Sequence, residues 1–118
     1  MDLETLKTRA LAKPATTQDF PFDDVTLVLR VKRKMFLIVP IDASPLQVTL
    51  KCDPDWAEIL RQTYPAVIPG YHTNKRHWNT IQLDGSIPEA EILEMVDHAY
   101  EQTVKGLTRK EREKLVNG

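Results

Sequence analysis

Cysteine is nearly absent from this chain of 118 residues: Cys52 stands alone, so no internal disulfide can form and an intracellular, cytoplasmic setting is expected. A lone thiol at the end of an apolar strand reads as a small core filler, even with Lys51 beside it. Long apolar runs are missing too. None approaches the roughly 20 residues that cross a bilayer, so no membrane partner is expected. The N-terminal Met-Asp-Leu-Glu-Thr-Leu-Lys carries acids and a helical pattern in place of a basic region and apolar stretch, which argues against export. There is no repeat or low-complexity tract. Nor is there a large surplus of one charge: 16 basic against 17 acidic residues leave a net charge of -1, which disfavours indiscriminate polyanion binding. Metal-ligand spacing is also lacking, because the three histidines and one cysteine show no recurrent short pairing, and no cofactor is implied.

What is present suggests one domain over residues 1–118, long enough to bury about two-thirds of its unfolded surface around a single core. Leu3, Leu6, Ala10 and Leu11 fall at helical spacing before Lys13-Pro14 stops the pattern. Thr16 to Phe22 reads as an edge strand or extended segment ending at Asp23-Asp24. In the next run Val25, Leu27, Leu29 and Val31 alternate with Thr26, Val28 and Arg30. Lys34 to Pro40 is apolar on both faces, which places Lys32-Arg33 at a basic hairpin tip. Leu46, Val48, Leu50 and Cys52 alternate with Gln47, Thr49 and Lys51. Asp53-Pro54 then opens a helix whose buried stripe would be Trp56, Ile59, Leu60 and Tyr64.

Pro65 to Gly70 reads as a turn, and Trp78 to Leu83 returns to strand spacing. Ser86 and Glu89 fit a capping box for a long helix through Ile92, Val96 and Ala99, which Gly106 ends. Thr108 caps a short charged helix through Val116. Short turns between strands, with helices before, between and after, predict an α+β fold in the order α-β-β-β-α-β-α. It has two layers: a twisted antiparallel sheet with helices on one face. The other face would hold Thr26, Val28, Arg30, Gln47, Thr49, Lys51, Trp78, Thr80 and Gln82. To these it adds either Phe36 and Ile38 or Met35, Leu37 and Val39. Asn79, Ile81 and Leu83 share the helix-facing register.

Charge is unevenly placed. Arg30, Lys32, Arg33, Lys34, Lys51, Arg61, Lys75 and Arg76 outnumber the acids between them, whereas Asp84 to Glu101 contains acids and no lysine or arginine. The run from Tyr71 to Gly85 gathers cations, imidazoles, an indole and amides, as binding loops on rigid sheets do. His72 and His77 lie near Asp84, but a general acid or base needs a substrate pocket and an orienting partner, so a non-enzymatic role is expected. The acids Glu89, Glu91, Glu94, Asp97 and Glu101 read most simply as a solvated helix face rather than a weak iron site.

Several strings are long and unusual: Lys13-Pro14, Asp19-Phe20-Pro21-Phe22, Leu50-Lys51-Cys52-Asp53-Pro54, Tyr64-Pro65-Ala66-Val67-Ile68-Pro69-Gly70-Tyr71-His72, His77-Trp78-Asn79-Thr80 and Leu83-Asp84-Gly85-Ser86. Through them the chain resembles the MmcQ/YjbR-like family of small bacterial proteins. The resemblance implies a fold like that of CyaY, the bacterial frataxin homologue, and of the secretion chaperones. It also implies double-stranded DNA binding through two β-hairpin wings. The first wing would be Arg30 to Lys34 and the second would lie between His72 and Trp78. The nucleic-acid-binding residues would then be Arg30, Lys32, Arg33, Lys34, Lys51, His72, Asn74, Lys75, Arg76, His77 and Trp78, with Asn79 and Gln82 also able to read base edges. The alternative is a protein-interaction or chaperone-like module whose open sheet face takes a protein partner or a second copy. Two positions depart from the family pattern: Ala15, where glycine is expected, and Asp23-Asp24, where a glycine is common.

Overall fold

Alternating apolar residues build a six-stranded antiparallel sheet, and the amphipathic segments fold back over one of its faces. The computed structural model describes residues 1–70 and 73–116. Helix α1 (Leu3–Leu11) starts where the Asp2 carboxylate accepts the Thr5 N–H at 2.8 Å, and it buries Leu6 and Ala10. Strands β1 (Thr16–Asp19), β2 (Thr26–Val31), β3 (Lys34–Pro40) and β4 (Gln47–Lys51) follow. Helix α2 (Pro54–Thr63) is capped by Asp53, as expected. Strands β5 (Val67–Pro69) and β6 (Trp78–Gln82) precede α3 (Glu89–Lys105) and α4 (Arg109–Val116). The strand order is β1-β2-β3-β4-β6-β5, so β1 and β5 form the two edges.

The core lies between sheet and helices. Leu27, Leu29, Val31, Phe36, Leu37, Val39, Val48, Leu50 and Ile81 meet Leu6, Ala57, Leu60, Ile92, Met95, Val96 and Ala99. Burying each large aliphatic side chain there stabilises the fold by roughly 1.5–3 kcal/mol. The face of β3 has an answer that simple alternation does not supply. A register shift between Leu29 and Arg30 pairs Leu29 with Leu37 but Arg30 with Met35. Phe36 is the extra residue. Phe36, Leu37 and Val39 therefore all belong to the helix-side core, with Phe36 set edge-on against Tyr100 of α3, while Ile38 lies opposite Thr49 on the other face.

Other expectations change. The Pro65 to Gly70 turn contains the short edge strand β5, whereas the edge strand expected within Thr16 to Phe22 does form, over Thr16–Asp19. Ile59 is 56% exposed and outside the buried stripe of α2, and Val25 precedes β2 and lies on the surface. The box at Ser86 and Glu89 does not form: α3 begins after Pro88 without a side-chain cap, and Ser86 instead donates its N–H and hydroxyl to Asp84. The reciprocal box stands on α4, where Thr108 N–H reaches Glu111 at 3.0 Å and Glu111 N–H reaches the Thr108 hydroxyl at 3.1 Å.

Candidate functional site

Strand register sorts the open face into rows. Arg30 pairs with Met35 and Lys51 with Trp78, and the neighbouring row holds Val28, Ile38, Thr49 and Thr80, with Ile68 at the edge. Thr26 and Pro40 are paired beyond it, as are Gln47 and Gln82. Trp78, Thr80 and Gln82 thus take the register expected for them, but the indole is not an exposed platform. Trp78 is only 9% exposed, and a side chain on Gly70 would come within 2.6 Å of its Cβ. Gly70 also donates its N–H to the Trp78 carbonyl at 2.9 Å, so this close approach of two backbones requires glycine. The centre of the face is likewise covered. Val28 is fully buried outside the helix-side core, and the Thr49 and Thr80 hydroxyls meet at 2.8 Å.

Three of the seven lysines and arginines expected to meet nucleic acid have side chains tied to the protein itself. Arg30 lies 3.5 Å from Asp19 and donates to the Arg33 carbonyl. Arg33 pairs with Glu111 of α4 at 3.3 Å, and Lys34 donates to the Gly106 carbonyl at the end of α3 at 2.7 Å. Lys32 occupies the turn with a φ of 56°, its N–H on the Ala15 carbonyl. The tip expected to be a projecting wing is therefore docked on the junction of α3 and α4.

The second segment is folded in the same manner. Asn74 accepts the Arg76 N–H on its side chain and the His77 N–H on its carbonyl, and the His77 carbonyl accepts from Cys52. Arg61 of α2 clamps this turn, donating to the Lys75 and Trp78 carbonyls and, at 2.7 Å, to Asn79 Oδ1. Asn79 is 1% exposed on the helix side, so it holds α2 and is not available to read a base. Lys75 and Arg76 are exposed, beside a cleft they share with Asp55 and Glu58. His72 lies outside the described residues.

Lys51 differs from the other cations of the sheet. Its ammonium stands 5.5 Å from the centre of the Trp78 ring, and no carboxylate lies within ion-pair distance of it among the described residues. Burial lowers its pKa, and the nearby positive charge of Lys34 lowers it further.

A groove missed by the sequence reading runs over the row of Ile38, Thr49 and Thr80. It measures about 490 Å³; Phe22 from the β1–β2 connection and Thr73 from the β5–β6 connection wall it, and Thr26, Met35, Pro40 and Gln47 complete it. Phe22 is 64% exposed, and beyond it Phe20, Val25 and Ile41 are exposed as well, with the Ile41 N–H bonded to the Val25 carbonyl. Thr73 Oγ1 is buried with no hydrogen-bond partner among the described residues. The signal for this site was the surplus of apolar residues at 20–25 and 35–41, which one core face cannot absorb.

The remaining polar groups have structural roles. His98 accepts the Asp53 N–H at 3.0 Å and packs edge-on against Trp56, and burial lowers its pKa. Burial pushes the Cys52 thiol up to about 11, and the buried side chain packs into the core as a small filler. On the acidic helix face Asp97 is engaged by Arg9 and Lys13, and Glu91 accepts the Tyr64 hydroxyl. Among the described residues no group of three or more histidine, cysteine and carboxylate side chains is placed to hold a metal ion, and no helix is long and apolar enough to cross a membrane.

The YjbR family model matches residues 11–102. The chain belongs to the YjbR family. It is 36% identical to the Escherichia coli K12 protein YjbR over 98% of both chains, and 29% identical to YbdF of Escherichia coli O157:H7 over 98% of this chain and 94% of that one. A crystal structure of a Deinococcus radiodurans protein of the DUF419 domain family superposes with a TM-score of 0.92 at 38% identity. The superposition covers 97% of this chain and 87% of the other. The α+β architecture is thus shared with this DUF419-domain protein, and in the present chain the groove sits on the sheet face that is free of helices.

Proposed function

We propose that this YjbR-family chain is a non-enzymatic interaction module that receives an extended segment of another protein across the open face of its sheet. One observation carries the reading: Phe22, which walls the groove, is exposed in the same short connection as exposed Phe20 and Val25, and Val25 is hydrogen-bonded to exposed Ile41. Contiguous exposed apolar surface of this kind marks interaction sites. The aromatic anchor is Phe22, not Trp78, which is buried against Gly70.

The test is a titration of isotope-labelled protein with short apolar peptides, following backbone amides. Shifts at Thr26, Ile38, Thr49 and Thr80 are expected, together with their loss in Ile38→Asp. A peptide response confined to the helix side would overturn the reading. A second reading, weak contact with duplex DNA, draws on Lys75 and Arg76, which are exposed and have no ion-pair partner among the described residues. The same titration with duplex DNA at two salt concentrations addresses it. Movement at Lys75 and Arg76 that fades with salt would support it, and no movement at low salt removes it.

A further inference from the structure

Lys51 occupies the row next to Thr49 on the same face of β4. Two residues of strand separate side chains by about 6.6 Å, so its ammonium stands one step beyond the groove floor. The neighbouring cations are already engaged: Arg30 by Asp19, Lys34 by the Gly106 carbonyl. Among the described residues Lys51 has only the Trp78 ring. A half-buried ammonium with an aromatic face on one side and no carboxylate in reach is an incomplete arrangement, because a desolvated charge is stabilised by an opposite charge or by good acceptors. Lys34 adds to the positive field at this end and supplies no acceptor. The opposite end, near Phe22, carries Asp23 and Asp24, so the face runs from an acidic apolar end to a basic one. Asp23 is occupied locally by the Val25 and Thr26 N–H groups.

We infer that the segment received by the groove carries a carboxylate two residues from its apolar anchor, so that the anchor lies over Ile38 and Thr49 while the carboxylate pairs with Lys51. This rests on the groove reading and specifies its guest. An extended chain places residues i and i+2 on one side about 6.6 Å apart, the same step that separates Thr49 from Lys51. Charge thereby fixes the direction in which the segment lies, since a reversed guest would bring its carboxylate toward Asp23 and Asp24.

The experiment compares labelled short peptides of one sequence with Leu-Ser-Glu or Leu-Ser-Gln at the centre, by fluorescence anisotropy. The glutamate peptide is expected to bind roughly tenfold more tightly, as a charge-assisted hydrogen bond gives. Lys51→Gln should reduce that preference to less than about twofold, and Lys51→Arg should keep it. Equal binding of the two peptides overturns this inference and leaves the groove reading intact, as does a preference that survives Lys51→Gln. If neither peptide binds or moves a groove amide, the groove reading falls and the inference falls with it.

Discussion

Replacing Arg61 by methionine tests how the β5–β6 connection is held in place. The guanidinium makes three contacts: to Asn79 Oδ1 at 2.7 Å, to the Trp78 carbonyl at 3.1 Å and to the Lys75 carbonyl. These lose unequally. The Trp78 carbonyl keeps the Gly70 N–H and the exposed Lys75 carbonyl can turn to water, but Asn79 Oδ1 is left in a site 1% exposed with no donor. One buried unsatisfied acceptor costs about 1–3 kcal/mol, and with the two lesser bonds the total for Arg61→Met comes to about 2–3 kcal/mol. Methionine keeps most of the aliphatic stem, so little packing is lost with the charge. Urea unfolding should show a lower midpoint at unchanged slope. Adding Asn79→Leu removes the orphaned amide, so the double variant should be about 1–2 kcal/mol more stable than the sum of the single changes predicts. A cost below about 0.5 kcal/mol for Arg61→Met, or strict additivity in the cycle, would refute the clamp.

Two further changes follow from the backbone and from charge. Ala15 holds a φ of 58°, in the left-handed region, immediately before β1. Relief of that conformation, offset by the greater freedom of glycine in the unfolded chain, should make Ala15→Gly about 0.5–1 kcal/mol more stable in the same unfolding assay; a loss of stability would show that the Ala15 methyl packs usefully. Asp97 is held down to about 2, first by hydrogen bonds from Arg9 and then by Lys13, against burial that would raise it. Its folded pKa lies below its ordinary value near 4, so the stabilisation is complete above pH 4 and disappears as pH falls toward 2. With solvent screening discounted, Asp97→Asn should cost about 1 kcal/mol at pH 7 and almost nothing at pH 2, and an equal cost at both would contradict the linkage.

The parts of this fold that could be read in the sequence are those in which one period repeats without interruption. Leu27, Leu29 and Val31, or Val48 and Leu50, declare their face because each neighbour in the strand points away from it. The same rule fails at Phe36. One inserted residue puts Phe36 and Leu37 on the same side, and no feature of Lys34 to Pro40 marks where the register slips. The short strand β5 was hidden by its prolines. Ser86 and Glu89 have the right spacing for a cap, but Asp84 competes successfully for the Ser86 hydroxyl at 2.6 Å. The candidate site was less legible than the fold, because its chemistry depends on partners far along the chain. Glu111 captures Arg33 from 78 residues away, and Gly106 captures Lys34 from 72.

A cation in a sequence is a phosphate contact only if it has nothing better to hold. Lys34 sits 2.7 Å from the carbonyl of Gly106, which caps the end of α3, where the negative end of the helix dipole favours it, so swinging it out to a phosphate would uncover the helix end. Arg33 would have to leave Glu111, and Glu111 would then complete the α4 capping box without a counter-charge. The cost for each exposed pair is small, but it is subtracted from any gain on binding and must be met at several residues together. Lys51 has no ion pair among the described residues to give up on meeting an anion, and its half-buried position keeps the surrounding dielectric low, which strengthens the attraction. It also adjoins the groove, whereas the docked tip adjoins helices. Lys51 and the exposed apolar surface therefore share one face, and on the proposed reading a guest with a carboxylate and an apolar anchor would give up less there than a polyanion would at the Arg30 to Lys34 hairpin.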